Sequence, residues 1–81
     1  MTTEPYYERT RRIAQALEQK GFSDWAERLR EAVDAAATGE ELVTGVRWNL
    51  QELKKSGEIV GPELSAQIET LLADIDKALE P

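Results

Sequence analysis

The segment GPELSAQIETLLADIDKAL, from Gly61 to Leu79, decides the fold class. Its apolar residues recur every three or four positions, which is the period of one face of an α-helix. Those residues are Leu64, Ile68, Leu71, Leu72, Ile75 and Leu79. Pro62 suits the first turn of a helix, and Glu63 complements the positive charge of a helix N-terminus. The segment predicts an amphipathic helix over residues 62–79.

The preceding segment predicts a third helix over residues 39–56. Thr38 and Glu41 have the spacing of a capping box, in which side chains satisfy backbone N–H groups at a helix start. The apolar positions that follow again have helical spacing and are Leu42, Val43, Val46, Leu50 and Leu53. Gly57 suits the left-handed position that ends many helices.

A second helix is predicted over residues 24–37. Ser23 or Asp24 is the expected N-cap, with Glu27 completing a capping box behind Asp24. The apolar stripe expected to face the core consists of Trp25, Leu29, Ala32, Val33 and Ala36.

The first helix is predicted over residues 5–20. Its core-facing positions are Tyr6, Thr10, Ile13, Ala14 and Leu17. With Lys20 as C-cap, Gly21 takes the left-handed position and Phe22 packs back on Leu17, as in a Schellman motif.

The four segments predict an all-α fold, a compact bundle of amphipathic helices with up-and-down topology. The connections are short, and short connections make successive helices antiparallel neighbours. A chain of 81 residues has room for one hydrophobic core, so residues 1–81 are expected to form a single domain. Residues 1–4 and 80–81 are expected to fray.

The amino-acid composition argues against a catalytic or metal-binding site. The chain has neither cysteine nor histidine, which excludes disulfides, thiolate nucleophiles, zinc clusters of these ligands and imidazole acid–base catalysis. Gly39 and Gly45 flank a segment that superficially suggests a phosphate loop, but the spacing is wrong and two acidic residues stand where a phosphate would bind. We expect no catalytic residues, no metal, no cofactor and no small-molecule substrate, and hence no enzyme.

The formal net charge of −6 bears on location and partners. An acidic surface repels nucleic-acid phosphates and anionic lipid, whereas it attracts a basic protein. No apolar run approaches the roughly 20 residues of a membrane span, so we expect a cytoplasmic protein. In size and composition the chain resembles bacteriocin-type immunity proteins and phage-encoded inhibitors, a likeness that implies a bacterial or phage origin and carries no residue roles.

Trp48 is a large apolar residue that lies outside the predicted core. It lies almost opposite the apolar arc of the third helix. Two interpretations remain open: the first helix, with Tyr6 or Tyr7, covers the ring, or the ring is exposed and anchors a protein interface. In the second case the candidate interface residues are Trp48, Arg47, Tyr7 and Glu52.

A weaker candidate is a basic patch of Arg9, Arg11 and Arg12 in the first helix, near two tyrosines. A helix-turn-helix interpretation would start its recognition helix with Glu40 and Glu41, which repel phosphates.

The leading prediction is therefore a small protein-interaction module of inhibitor, immunity or adaptor type. The alternative is a homo-oligomeric structural protein whose partner is a second copy, and a nucleic-acid-associated regulator ranks third.

Overall fold

A computed structural model describes residues 5–80 of the chain. It contains four α-helices, which are α1 (Tyr6–Gln19), α2 (Ser23–Ala35), α3 (Gly39–Lys55) and α4 (Pro62–Leu79). No strand occurs in this part of the chain, and the all-α prediction is confirmed. The predicted bounds hold for α4 and shift by one or two residues elsewhere. Residues 1–4 and 81, for which fraying was expected, lie outside the described residues.

The turn between α1 and α2 is the predicted Schellman motif. Gly21 has a φ of 91°, which a residue without a Cβ adopts at little cost. The Phe22 N–H donates to the Leu17 carbonyl at 2.8 Å, and the Gly21 N–H donates to the Glu18 carbonyl at 3.1 Å. These are the two bonds that define the motif. Phe22 is half-buried and packs against the core, as expected.

The start of α2 differs from the prediction. Its N-cap is Phe22, and no side chain caps the helix, so neither Ser23 nor Asp24 acts as N-cap. The tight α1–α2 turn is the physical reason, since the chain enters the helix directly from the Schellman motif. The predicted capping box of Asp24 and Glu27 is therefore wrong.

The ends of α3 follow the sequence signals. The Thr38 hydroxyl oxygen accepts a hydrogen bond from the Glu41 N–H at 3.1 Å. The Glu41 carboxylate in turn accepts one from the Ala37 N–H at 3.3 Å, one residue before the position of a standard capping box. At the other end Gly57 has a φ of 78° and follows the C-cap Ser56.

The helices form an up-and-down bundle in which each packs against its neighbours in the sequence and α4 closes on α1. Antiparallel pairing is visible in the ion pairs. Arg47 and Lys54 of α3 bind Asp76 and Glu69 of α4, so the residue numbers run in opposite directions. The same opposition holds between α1 and α2, where Arg11 pairs with Asp34 and Glu18 with Arg30.

The core is one cluster to which all four helices contribute side chains. Its buried apolar members are Ile13, Ala14, Leu17, Ala26, Leu29, Val43, Val46, Leu50, Leu53, Val60, Leu64, Ile68, Leu71, Leu72 and Ile75. Thr10 is also buried, and its hydroxyl donates to the Tyr6 carbonyl at 2.8 Å. Ala26 and Val60 were not predicted as core residues, because Ala26 lies beside the expected stripe and Val60 lies in a connection.

Trp25, Leu79 and Ile59 are apolar residues that are not part of the buried core. Trp25, expected in its interior, is only partly buried at its margin, because Ala26 and Leu29 fill the centre of the α2 face. Leu79 is 39% exposed in the last turn of α4, where the bundle ends. Ile59 is 89% exposed in the α3–α4 connection. Within residues 5–80, no helix has both the length and the apolar character to cross a membrane.

Candidate functional site

Trp48 is exposed on the outer surface of α3. The buried residues of this helix are Val43, Val46, Leu50 and Leu53, and Trp48 lies on the opposite side of a helix with 3.6 residues per turn. Its side chain is 58% exposed. The interpretation in which α1 covers the ring is therefore wrong. The reason is the topology, because α1 packs mainly against α2 and α4 and little against α3.

The neighbours of α3 show which side of the helix Trp48 approaches. Gly45 lies against Ala32 of α2, since a Cβ built at Gly45 would be 3.6 Å from the Ala32 Cβ. Arg47 instead binds Asp76 of α4. Trp48 is about 60° around the helix from Gly45 and about 100° from Arg47. It therefore flanks the contact between α2 and α3.

We call the outward surface around this contact the α2–α3 face. It comprises Arg28 and Ala32 of α2 and Glu41, Gly45, Trp48 and Glu52 of α3. Glu52 follows Trp48 by one helical turn, so the two side chains are neighbours. The Glu52 carboxylate lies 3.6 Å from the Lys55 ammonium group, a long and partly exposed ion pair. The structure thus brings together two of the four candidate interface residues.

The other two candidates lie elsewhere. Arg47 belongs to the α3–α4 contact, where its guanidinium group donates to the Asp76 carboxylate. Tyr7 is 42% exposed on α1, and the Arg11 guanidinium carbon lies 5.9 Å from the centre of its ring. Sequence reasoning grouped these residues by type. Their separation follows from which helices are neighbours.

The α2–α3 contact differs from the other helix contacts in its electrostatics. Ion pairs join α1 to α2, α1 to α4 and α3 to α4. Across residues 5–80, no ion pair joins α2 to α3. The small side chain of Ala32 and the missing one of Gly45 let the helices approach closely there instead. The charged groups of this face therefore form no ion pair across the α2–α3 contact within residues 5–80.

Of the carboxylates on the outer surface of α2 and α3, Glu52 pairs with Lys55, whereas Asp24, Glu27, Glu31 and Glu41 have no ion-pair partner among the described residues. Asp24, Glu27 and Glu31 are exposed and follow one another at intervals of three and four along the outer side of α2. Glu41 of α3 is exposed as well, and its carboxylate accepts the hydrogen bond from the Ala37 N–H. These groups give the outer surface of α2 and α3 a negative potential.

Arg28 lies one helical turn from both Asp24 and Glu31. Its guanidinium carbon lies 4.6 Å from the centre of the Trp25 ring, within the range of a cation–π interaction. Arg28 lies off the apolar stripe predicted for the second helix, and that stripe did not indicate this contact. The signal was present in the spacing of three residues between an aromatic and an arginine on one helix.

The predicted basic patch does not form one surface. Arg9 binds Asp74 at 2.9 Å and its side chain is only 14% exposed. Arg11 lies on the opposite edge of α1 and pairs with Asp34 at 3.5 Å. Arg12 lines, together with Arg9, a shallow groove of about 300 Å³ between α1 and α4. The structure thus divides the three arginines between two helix contacts.

Residues 5–80 hold no group of three or more acidic, cysteine or histidine side chains that could bind a metal ion. Comparison of the chain with protein-family models, with curated proteins and with solved structures gives no match.

Proposed function

We propose that the protein is a non-enzymatic protein-interaction module, of inhibitor, immunity or adaptor type, that binds another protein through the α2–α3 face. The exposure of Trp48 carries this proposal. The ring is 58% exposed although the helix buries its other large apolar residues wholly or in part. Tryptophan is among the residues that contribute most to binding energy when a partner covers them.

The amount of apolar surface involved is significant for binding. A tryptophan side chain offers about 150 to 250 Å², so covering the exposed half of Trp48 removes roughly 100 Å² from water. At about 25 cal/mol per Å² this contributes on the order of 2 to 3 kcal/mol. A contribution of this size changes a dissociation constant by a factor of about 30 to 150. One ring can therefore dominate the affinity of a small interface.

The charge of the face bears on the class of partner. A second copy of the chain would place the same carboxylates opposite one another, and like charges across an interface are unfavourable. A nucleic acid would be repelled by the net charge of −6. A different protein with a basic contact surface would avoid both kinds of repulsion.

The test is affinity capture from a lysate of the source organism, using immobilised wild-type protein and two variants. Trp48→Ala should lose a protein that the wild type retains. Tyr7→Ala removes an exposed aromatic on α1, away from the α2–α3 face, and should retain that protein. If the Trp48→Ala bait captures the same proteins as the wild type, the α2–α3 face is not the binding surface.

A further inference from the structure

The groove between α1 and α4 is a second place where the molecule can bind something. It lies on the side of the bundle opposite the α2–α3 face, because α1 and α4 are the first and last helices of the up-and-down order. Its volume of about 300 Å³ is at the lower end of the range for small-molecule sites. The described residues that line it are Arg9, Arg12, Ile13, Ala66, Gln67 and Thr70.

The charge of the groove is opposite to that of the chain. Among the described lining residues the charged side chains are those of Arg9 and Arg12, whereas the chain has a net charge of −6. Glu8 of α1 and Glu63 of α4, each one helical turn from a lining residue, do not line the groove. A concave surface bordered by two guanidinium groups is complementary to an anion.

The fold holds Arg9 in position. Its guanidinium group lies 2.9 Å from the Asp74 carboxylate, and its guanidinium carbon lies 5.9 Å from the centre of the Tyr6 ring. A guanidinium group has five N–H donors in a planar fork, so a group that pairs with one carboxylate can also donate to a second acceptor. Because the side chain is already ordered, an anion that binds it loses little affinity to the cost of ordering.

The remaining lining residues favour a ligand that has an apolar body. Ile13, 3% exposed, and the methyl group of Ala66 form an apolar part of the groove. The Thr70 hydroxyl donates to the Ala66 carbonyl at 2.9 Å, so the Gln67 amide is the side-chain donor that α4 offers to a ligand. At about 30 Å³ for a water-sized group, the groove has room for roughly ten non-hydrogen atoms.

We propose that the α1–α4 groove binds a small carboxylate with an apolar body. Arg9 and Arg12 bind the carboxylate, the Gln67 amide donates a hydrogen bond to it, and the apolar body covers Ile13. This inference goes beyond the proposed function and does not depend on it, since the groove and the α2–α3 face are on different sides of the bundle. It assigns a ligand class to two of the three arginines of the predicted basic patch.

The first experiment compares three probes of matched length on the full chain. Octanoate carries the carboxylate, octanol lacks the charge and octylammonium reverses it. Binding is followed by the NMR chemical shifts of the methyl groups of Ile13, Ala66 and Thr70. Octanoate should shift these signals with a dissociation constant of about 1 mM, which rises with salt. Octanol should bind at least about fivefold more weakly, and octylammonium should not bind.

Two pairs of variants test the groove itself. Arg12→Gln should weaken octanoate binding about five- to tenfold. Arg11→Gln is the matched control, because Arg11 is the adjacent arginine and pairs with Asp34 away from the groove, and it should leave the affinity unchanged. Ala66→Leu fills the groove without changing its charge and should abolish binding. Ala73→Leu makes the same substitution at an exposed position of α4 outside the groove and should have no effect.

Each outcome supports or overturns the proposal. Equal affinities for octanoate and octanol, or equal losses in Arg12→Gln and Arg11→Gln, would overturn the role of the groove arginines. Octanoate binding that survives Ala66→Leu would overturn the groove as the site. Octanoate at ten times its dissociation constant should also raise the thermal midpoint of the wild type by about 5 to 10 °C and leave that of Ala66→Leu unchanged. None of these results affects the capture of a partner through Trp48, so the two proposals fail separately.

Discussion

At the scale of single residues, the two tryptophans show what helical periodicity can and cannot resolve. The pattern identified Trp25 as core-facing, and the structure has it at the core margin beneath Arg28. Periodicity left Trp48 ambiguous, since a residue opposite one apolar stripe is buried or exposed according to what lies behind its helix. Only the arrangement of all four helices answers that question. Trp48 and Glu52 were thus predictable as candidates, but their surroundings were not.

The tryptophans should respond differently to truncation. Trp48→Ala should change the free energy of unfolding by no more than about 0.5 kcal/mol, because an exposed ring contributes little to folding. Trp25→Ala should cost about 2 to 3 kcal/mol, less than a fully buried aromatic, since Trp25 is partly exposed but packs on the core. Chemical denaturation of both variants measures the difference. Equal losses would show that Trp48 is covered in the folded protein.

At the scale of helices, local capping chemistry set some boundaries and tertiary structure set others. The start of α4 was predictable because Gly61, with a φ of 94°, and Pro62 together fix where the helix begins. The start of α2 was not, because the Schellman turn at Gly21 brings the chain into the helix before Ser23 can act as a cap. Capping residues in the sequence therefore predict a boundary only where the preceding turn leaves them room.

The two caps provide a matched pair of variants. Thr38→Ala removes the hydroxyl that accepts from the Glu41 N–H and should lower the free energy of unfolding by about 1 kcal/mol. Ser23→Ala should leave stability nearly unchanged, because no side chain caps α2. Thermal denaturation followed by circular dichroism compares the two. A larger loss for Ser23→Ala would contradict the observed start of α2.

The apolar face of α4 permits a prediction for the core. Leu71 is fully buried at its centre, so truncation loses apolar burial and leaves a cavity. Leu71→Ala should cost roughly 2 to 5 kcal/mol, a large fraction of the stability of a small domain. Ala73→Ser, on the exposed side of the same helix, is the control and should have little effect. A Leu71→Ala denaturation midpoint close to that of the wild type would show that α4 does not pack as described.

At the scale of the whole molecule, the architecture followed from the sequence while the distribution of charge between helices did not. Four stripes and three short connections leave an up-and-down bundle as the simplest arrangement. Which charges become paired depends on the register between helices. This register cannot be predicted from the pattern of apolar residues. Arg9 and Arg11 looked like one patch in the sequence, yet each binds a different helix. The absence of ion pairs between α2 and α3 in residues 5–80 is a property of the assembled bundle alone.

The net charge of −6 leads to a prediction about self-association. If another protein covers the α2–α3 face, the isolated chain should be a monomer, because two copies meeting through this face would oppose their own carboxylates. Size-exclusion chromatography with light scattering should give a mass near 9.1 kDa at micromolar concentration and low salt. Raising the salt to about 1 M shortens the screening length to about 3 Å and weakens that repulsion, which makes high salt the most demanding condition. If the wild-type protein has twice this mass and the Trp48→Ala variant has the mass of a monomer, a second copy of the chain is the partner of this face. A doubled mass insensitive to Trp48→Ala would place the self-contact elsewhere, with Ile59, 89% exposed in the α3–α4 connection, as the next residue to substitute.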